Sequence, residues 1–432
     1  MSDIHRFRHN DKAISIGNPA WSDAKDHDLI DLSVHHVGHD RLRRPDEHQF
    51  VNLCSCSYLG LDVHPEIVQG AIDALHEEKT LLLPISRVRI HLSILDQLEA
   101  ELSELFQTSA ITTLSASAAS AGVLPIMASG HLGDGQAPIM IFDKFAHFSM
   151  NLIKPICADE TEVLTCDHND LNFIEDACKR YPRVCYVADG VYGMGGVSPV
   201  QELLALQDKY GLYLYFDDSH SLSAYGAKGE GFARACMSEV GDRTVIVASL
   251  GKGFGAAGGV IMLGPNQHKA VLSRFGGPMV WSQCMNVAAI GAARAAVRIH
   301  HSPELAKLQA KLRANLELFD SLIHTDQHGN PFPVRIIRIG DARKAVDRSG
   351  EILRRGFYTS AVFFPIVERN KAALRVMLRA DNTPDDVQRF CDLVMEVTSE
   401  DGMYSDGTAA AGKGKASPEP VQPRPNLGVQ LS

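Results

Sequence analysis

The chain has no run of about 18 apolar residues, the length that a helix needs to cross a bilayer. Its start, MSDIHRFRHNDKAISIG, lacks the apolar stretch of a secretory signal. It has no CxxC pair. The nine cysteines stand apart at 54, 56, 157, 166, 178, 185, 236, 284 and 391. An odd, unpatterned set of this kind predicts reduced thiols, a cytoplasmic protein and no zinc site. Positive charge is not in excess. A net charge of −10 argues against nucleic acid as the main partner, while a local basic pocket for a small anion remains compatible with it.

What is present is ordinary in bulk and informative in detail. A chain of 432 residues with 45% apolar and 22% charged residues predicts two or three globular domains with a large core. Residues 1–50 are polar and hold His5, His9, His27, His35, His36, His39 and His48. No helical pair of metal-ligand spacing lies among them in a periodic segment, so they are expected to form a solvated arm. From Phe50 onward, apolar runs alternate with helical patterns. Strands are expected at Pro138–Phe142, Val184–Ala188, Leu212–Phe216 and Thr244–Ala248, with a helix over Pro199–Tyr210. This alternation predicts a mostly parallel sheet covered by helices, spanning 51–285. One long helix is expected over Asn286–Leu322. A smaller C-terminal α+β unit follows, with strands at Val334–Ile339 and Leu374–Leu378 and a helix after Thr383, so that 286–400 forms the second region. The Gly-, Ala-, Pro- and Lys-rich segment 405–432 is expected to be disordered.

Four segments carry chemistry. In Ser249–Gly259, SLGKGFGAAGG, Lys252 follows an apolar strand and stands among five glycines. Glycines let a bulky ligand approach the backbone, and a partly desolvated lysine is a Schiff-base nucleophile. In Leu214–His220, LYFDDSH, a strand ends on Asp217 and Asp218, with His220 three residues past Asp217. Ligands of open α/β sheets bind at the carboxyl ends of strands. A carboxylate there suits the pyridine nitrogen of pyridoxal phosphate, and His220 suits its phenolic oxygen. Asp218 reads equally as a carboxylate capping the next turn. In Phe142–Ser149, FDKFAHFS, His147 can stack on a cofactor ring or serve as a hydrogen-bonded structural residue. In SASAAS, small residues including Ser117 and Ala118 open a helix, where free N–H groups and the helix dipole favour a phosphate.

In this order, the segments resemble the α-oxoamine synthase family from about Phe50 to Val394. The matching stretches are YLGLDVHPEI (58–67), DKFAHFS (143–149), DGVYGMGGVSPVQELLALQDKYG (189–211), FDDSHSLSAYGAKGEG (216–231) and SLGKGFGAAGG (249–259). The resemblance implies a fold-type I pyridoxal-phosphate transferase with a large α/β domain and a smaller C-terminal domain. By position, Lys252 resembles the Schiff-base lysine and base, Asp217 the partner of the ring nitrogen, and His220 the ligand of the phenolic oxygen. His147 resembles the stacking histidine, Asp189 the acidic residue behind it, and Ser249 the hydroxyl on the phosphate. Arg375 is similar to the arginine that takes the substrate carboxylate, with Arg379 close by as an alternative. The chain departs from the family at Cys56, where asparagine is usual. It also departs in TLLLPISRVRIHLS (80–93), which has no glycine, at Ser115-Ala116-Ser117, and at Gly193-Met194-Gly195-Gly196.

The implied reaction joins a small amino acid to an acyl thioester with loss of CO₂, giving an α-aminoketone. The donor is carried by coenzyme A or an acyl carrier protein. TLLLPI suits an acyl chain, and Arg87 and Arg89 suit a carrier's phosphates. The alternatives are a transaminase or retro-aldol enzyme on the same fold, or a catalytically idle partner subunit. The resemblance also implies a homodimer, because Trp281-Ser282-Gln283 matches a stretch that reaches the partner subunit's phosphate.

Overall fold

The structure is a computed structural model, and it describes residues 10–266 and 269–399. The segment expected to be disordered, 405–432, lies outside the described residues, as do His5 and His9.

A seven-stranded sheet forms the centre. Across it run Ser109–Thr113, Gly259–Leu263, Thr244–Ser249, Tyr213–Asp217, Val184–Asp189, Ile139–Asp143 and Val163–Cys166. Only Gly259–Leu263 runs against the others. Val184–Asp189 is buried along its whole length, and Thr244–Ser249 along all but its last residue. Strands covered on both faces need such continuous apolar sequence, which is why they are visible as runs and not as alternation. Parallel strands bring their carboxyl ends to one edge. Asp143, Asp189, Asp217 and Ser249 are each the last residue of a strand and are brought to that edge together.

The helix Val287–His300 packs against Pro65–Glu78. Their backbones meet where a Cβ on Gly291 would lie 2.3 Å from the Gly70 carbonyl oxygen. The long helix expected over Asn286–Leu322 is two helices, Val287–His300 and Pro303–Leu322. Pro303 has no N–H to continue the first helix, and Ser302 starts the second by accepting from the Glu304 N–H at 3.1 Å.

The C-terminal region carries an antiparallel sheet ordered Val334–Gly340, Ala372–Met377, Ser360–Val362. The helix Pro384–Thr398 is capped by Thr383. Residues 10–50 are not a free arm. The helix Asn10–Asp26 packs on the helix Ala342–Arg354, and Ala24, Leu29 and Phe50 are buried with Val346, Leu353 and Phe363. The strands His35–Gly38, Arg41–Arg43 and Gln49–Asn52 form a sheet that Phe357–Tyr358 completes. The segment reads as polar because its apolar residues are few, yet Ala24, Leu29 and Phe50 among them are buried.

Candidate active site

Lys252 sits in the short connection between Thr244–Ser249 and the antiparallel Gly259–Leu263. Bonds from Leu250 N–H to the Gly258 carbonyl at 3.0 Å and from Ala256 N–H to the Leu250 carbonyl at 2.9 Å close that loop. Half-buried, its Nζ lies 2.9 Å from His220 Nε2. The other nitrogen of His220, Nδ1, lies 2.5 Å from the Tyr58 hydroxyl. Burial, with Lys252, Arg375 and His147 nearby, holds the His220 imidazole well below its usual range, so the ring is neutral. A Cβ on Gly193 would stand 2.8 Å from His220 Nε2. Glycine at 193 is therefore what lets the ring lie where it does.

Asp217 is buried, and Oδ1 accepts the Ser219 N–H at 3.0 Å. Asp189 is its direct neighbour on the next parallel strand. Burial raises the Asp189 carboxyl well above the usual range, and the charge of Asp217 raises it further. Asp189 Oδ2 also accepts the His147 backbone N–H at 2.9 Å, which fixes the loop that carries that histidine. His147 Nδ1 meets Ser149 Oγ at 2.9 Å. Packing of one side of its ring, opposed by Asp217 and aided by Lys252 and Arg375, lowers its imidazole below the usual range. The ring keeps an exposed face.

Asp218 points elsewhere. It is fully buried, accepts from Ser221 Oγ and from the Ala233 N–H, and burial pushes its carboxyl up to about 7. It ties residues 218–233 together. Ser249 ends its strand with Oγ accepting the Gly251 N–H at 3.1 Å, beside Lys252. The helix Ala116–Ala128 starts against the end of the lysine loop, since a Cβ on Gly259 would lie 2.6 Å from the Ala116 nitrogen. Ser117 and Ala118 are in its first turn, with the Ala118 N–H already held by Ser115 Oγ at 3.1 Å.

The two candidate arginines separate clearly. Arg379 is buried and spends its guanidinium on Asp381 at 2.7 Å and Asp62 at 3.2 Å. Among the described residues, Arg375 reaches only the Gly193 carbonyl, at 3.4 Å, and its buried Nε has no partner. Arg87, expected to meet a carrier's phosphates, has protein partners of its own. Its guanidinium donates to Glu99 at 2.7 Å and to the Thr112 carbonyl at 2.8 Å, so it clamps the segment 80–93 to the sheet edge. Arg89 is exposed. Sequence reasoning missed Tyr58, although it opens YLGLDVHPEI. A buried tyrosine reads as core until its partner is known.

This site fits pyridoxal phosphate on its own chemistry. Two buried carboxylates in adjacent register call for a cationic group, and a protonated ring nitrogen is one. Lys252 and His220 stand together for its reactive side, and the orphaned Arg375 Nε awaits an anion. The chain belongs to the aminotransferase class I and II family, whose model matches residues 48–394. Within it, three similar proteins are of one kind. Mitochondrial 2-amino-3-ketobutyrate coenzyme A ligase of Bos taurus is 26% identical over 355 residues, which is 80% of this chain and 82% of that one. 8-Amino-7-oxononanoate synthase of Thermoanaerobacter pseudethanolicus is 27% identical over 351 residues, 79% of this chain and 86% of that one. The serine palmitoyltransferase structure from Sphingomonas wittichii superposes with a TM-score of 0.75 at 20% identity, over 90% of this chain and 98% of that one. These names are α-oxoamine synthases, as the motifs imply. The fold is the fold-type I pyridoxal-phosphate transferase fold.

Proposed function

We propose that this protein condenses a small amino acid with an acyl thioester, with loss of CO₂, to give an α-aminoketone. The observation that carries the reading is the meeting of Lys252, His220, Asp217, Asp189 and His147 at one sheet edge, in a chain of this family. When bound, pyridoxal phosphate supplies an electron sink for negative charge at the substrate Cα. Lys252 Nζ holds the cofactor and then takes the Cα proton. Asp217 keeps a proton on the ring nitrogen. His220 would hold the phenolic oxygen, and His147 would cover the ring with its exposed face. Ser249 and the start of the helix Ala116–Ala128, with Ser117 and Ala118, receive the phosphate. Arg375 binds the amino acid's carboxylate.

The intact set of Lys252, Asp217 and His220 speaks against an idle partner subunit. The donor is coenzyme A or an acyl carrier protein. The acyl segment 80–93 offers Arg87, which also pairs with Glu99, and the exposed Arg89 for carrier phosphate. The working unit is a homodimer. Supporting this, Phe148, Leu152, Ile156, Phe275 and Trp281 are exposed around the helix Ala116–Ala128, and patches of this kind mark interfaces. The region 51–285 serves as the cofactor domain and 286–400 as the linking helices and small domain.

The test is a matrix of amino acids and acyl thioesters, on both carriers, with detection of free thiol and CO₂. Equal release of both is expected. Pyridoxamine phosphate and a keto acid, with no thiol from any donor, would reverse the reading to transamination.

A further inference from the structure

We propose that Tyr215 is a positioning residue that fixes how far the start of the helix Ala116–Ala128 stands from Asp217, and so holds the two ends of the cofactor site in register. Tyr215 lies two residues before Asp217 on the strand Tyr213–Asp217, so both side chains leave the same face of the sheet. The helix packs on that face, where Tyr215 is buried with Ala119, Val123 and Leu124. Amid this apolar packing a polar link joins strand to helix. The Tyr215 hydroxyl donates to Ser120 Oγ at 2.8 Å, and Ser120 Oγ donates to the Ala116 carbonyl at 3.0 Å. Both side chains are wholly buried. A carbonyl oxygen can only accept, so Ser120 spends its hydrogen on Ala116 and leaves its lone pairs for the tyrosine. Burial, with the charge of Asp217 nearby, keeps the tyrosine protonated and able to donate.

The link reaches the first turn of the helix. Ala116 is the first helical residue, and Ser117 and Ala118 follow it. The same turn touches the end of the lysine loop, where a Cβ on Gly259 would lie 2.6 Å from the Ala116 nitrogen. Backbone contact thus stops the helix from coming nearer the loop, while the chain Tyr215–Ser120–Ala116 holds it to the strand that ends in Asp217. A helix start with free N–H groups suits a phosphate, and Asp217 suits a ring nitrogen. The proposal rests on that reading of the site, given above. In the cofactor, phosphate and ring are joined by a short arm, so a site that binds both must keep its own two ends at one spacing, and a preset spacing costs nothing at the moment of binding. A phenylalanine at 215 would fill the same space and could not set that spacing.

The test uses the full chain freed of cofactor. Dissociation constants are measured for pyridoxal phosphate and, by competition with it, for inorganic phosphate. Tyr215→Phe should bind pyridoxal phosphate about tenfold more weakly, the upper share of one buried hydrogen bond. Inorganic phosphate, which needs only the helix start, should bind wild type and variant alike. A bond that served stability alone would lower the melting temperature and leave both constants unchanged, and that result overturns the proposal. So does an equal loss for both ligands, which would mean that Tyr215 shapes the helix start and not its spacing from Asp217. Ser120→Ala cuts the same link from the helix side and keeps the proposal testable should Tyr215→Phe fail to fold. The double variant should bind pyridoxal phosphate no more weakly than the weaker single one, because the link acts as one unit; additive losses count against the idea. A wild type with which phosphate does not compete would overturn the proposal together with the phosphate assignment. Uptake that depends on Tyr215 as expected, in a protein without condensing activity, would leave the role of Tyr215 standing and remove only the functional reading.

Discussion

Asp189 and Asp217 stand side by side, and burial together with the charge of Asp217 makes a charge on Asp189 harder to bear. The neighbouring strand ends leave no room for solvent to relieve them. Asp217→Asn should still take up pyridoxal phosphate, yet turnover should fall by about 100-fold, a loss typical of removing one preorganised electrostatic partner. Parallel titration of cofactor uptake and turnover would show the split, and near-wild-type turnover would refute the role. Lys252→Ala should remove the borohydride-reducible link, checked by peptide mass spectrometry; a wild-type adduct on any other lysine would refute the assignment. At this scale much was legible. Asp217 ends an apolar strand, and Lys252, His220 and His147 lie within four residues past one, so the strand run announces the end where chemistry gathers. The pairing of Arg87 with Glu99 was not legible, because Glu99 lies in the next helix and nothing local to 80–93 reveals it. Tyr58 was passed over for the same reason, its partner being far along the chain.

At the scale of elements, the helix pair Pro65–Glu78 and Val287–His300 depends on bare backbone. Gly291→Ala should drive a methyl into the Gly70 carbonyl and cost about 1–3 kcal/mol, read as a lower melting temperature in thermal denaturation. The last residue of the second helix, His300, is buried, with Nδ1 at 2.8 Å from the Ala296 carbonyl and Nε2 at 2.8 Å from Ser223 Oγ. Burial lowers its imidazole from 6.5 to about 4. The unfolded chain therefore binds this proton more readily than the folded one. The corresponding stability, on the order of 3 kcal/mol, is whole above about pH 6.5 and is lost as pH falls toward 4. Urea midpoints taken across that window should decline in wild type and decline less in His300→Gln. Long buried strands were the easiest elements to read, because their apolar runs are unbroken. The break at His301 and Ser302 was missed because apolar spacing continues across it, and only Pro303 and the Ser302 cap mark it. The strands Ser109–Thr113 and Gly259–Leu263 merge with a helix start and a glycine loop, and neither stands out alone.

For the whole molecule, the exposed Phe148, Leu152, Ile156, Phe275 and Trp281 surround one helix that begins at the proposed phosphate site. A homodimer closing over them should sediment at twice the chain mass, and Trp281→Glu should shift it toward the monomer while lowering cofactor retention. An active wild-type monomer would refute this. The outline of a large α/β region followed by a smaller one was legible, but the place of residues 10–50 was not, because Ala24, Leu29 and Phe50 find cover against Val346, Leu353 and Phe363, far along the chain. One pairing there has a consequence for how the protein is made. The strand Gln49–Asn52 runs parallel to Phe357–Tyr358, with Val51 beside Phe357, so about 300 residues separate the partners. At a ribosomal pace of roughly 5–20 residues per second, the early strand waits some 15–60 s for its mate. During that interval the central sheet, whose strands all lie between the two, is complete and free to collapse first. The amino-terminal segment is then the last piece to be fastened, and a nascent chain halted before residue 357 should expose it to protease while its centre is already protected.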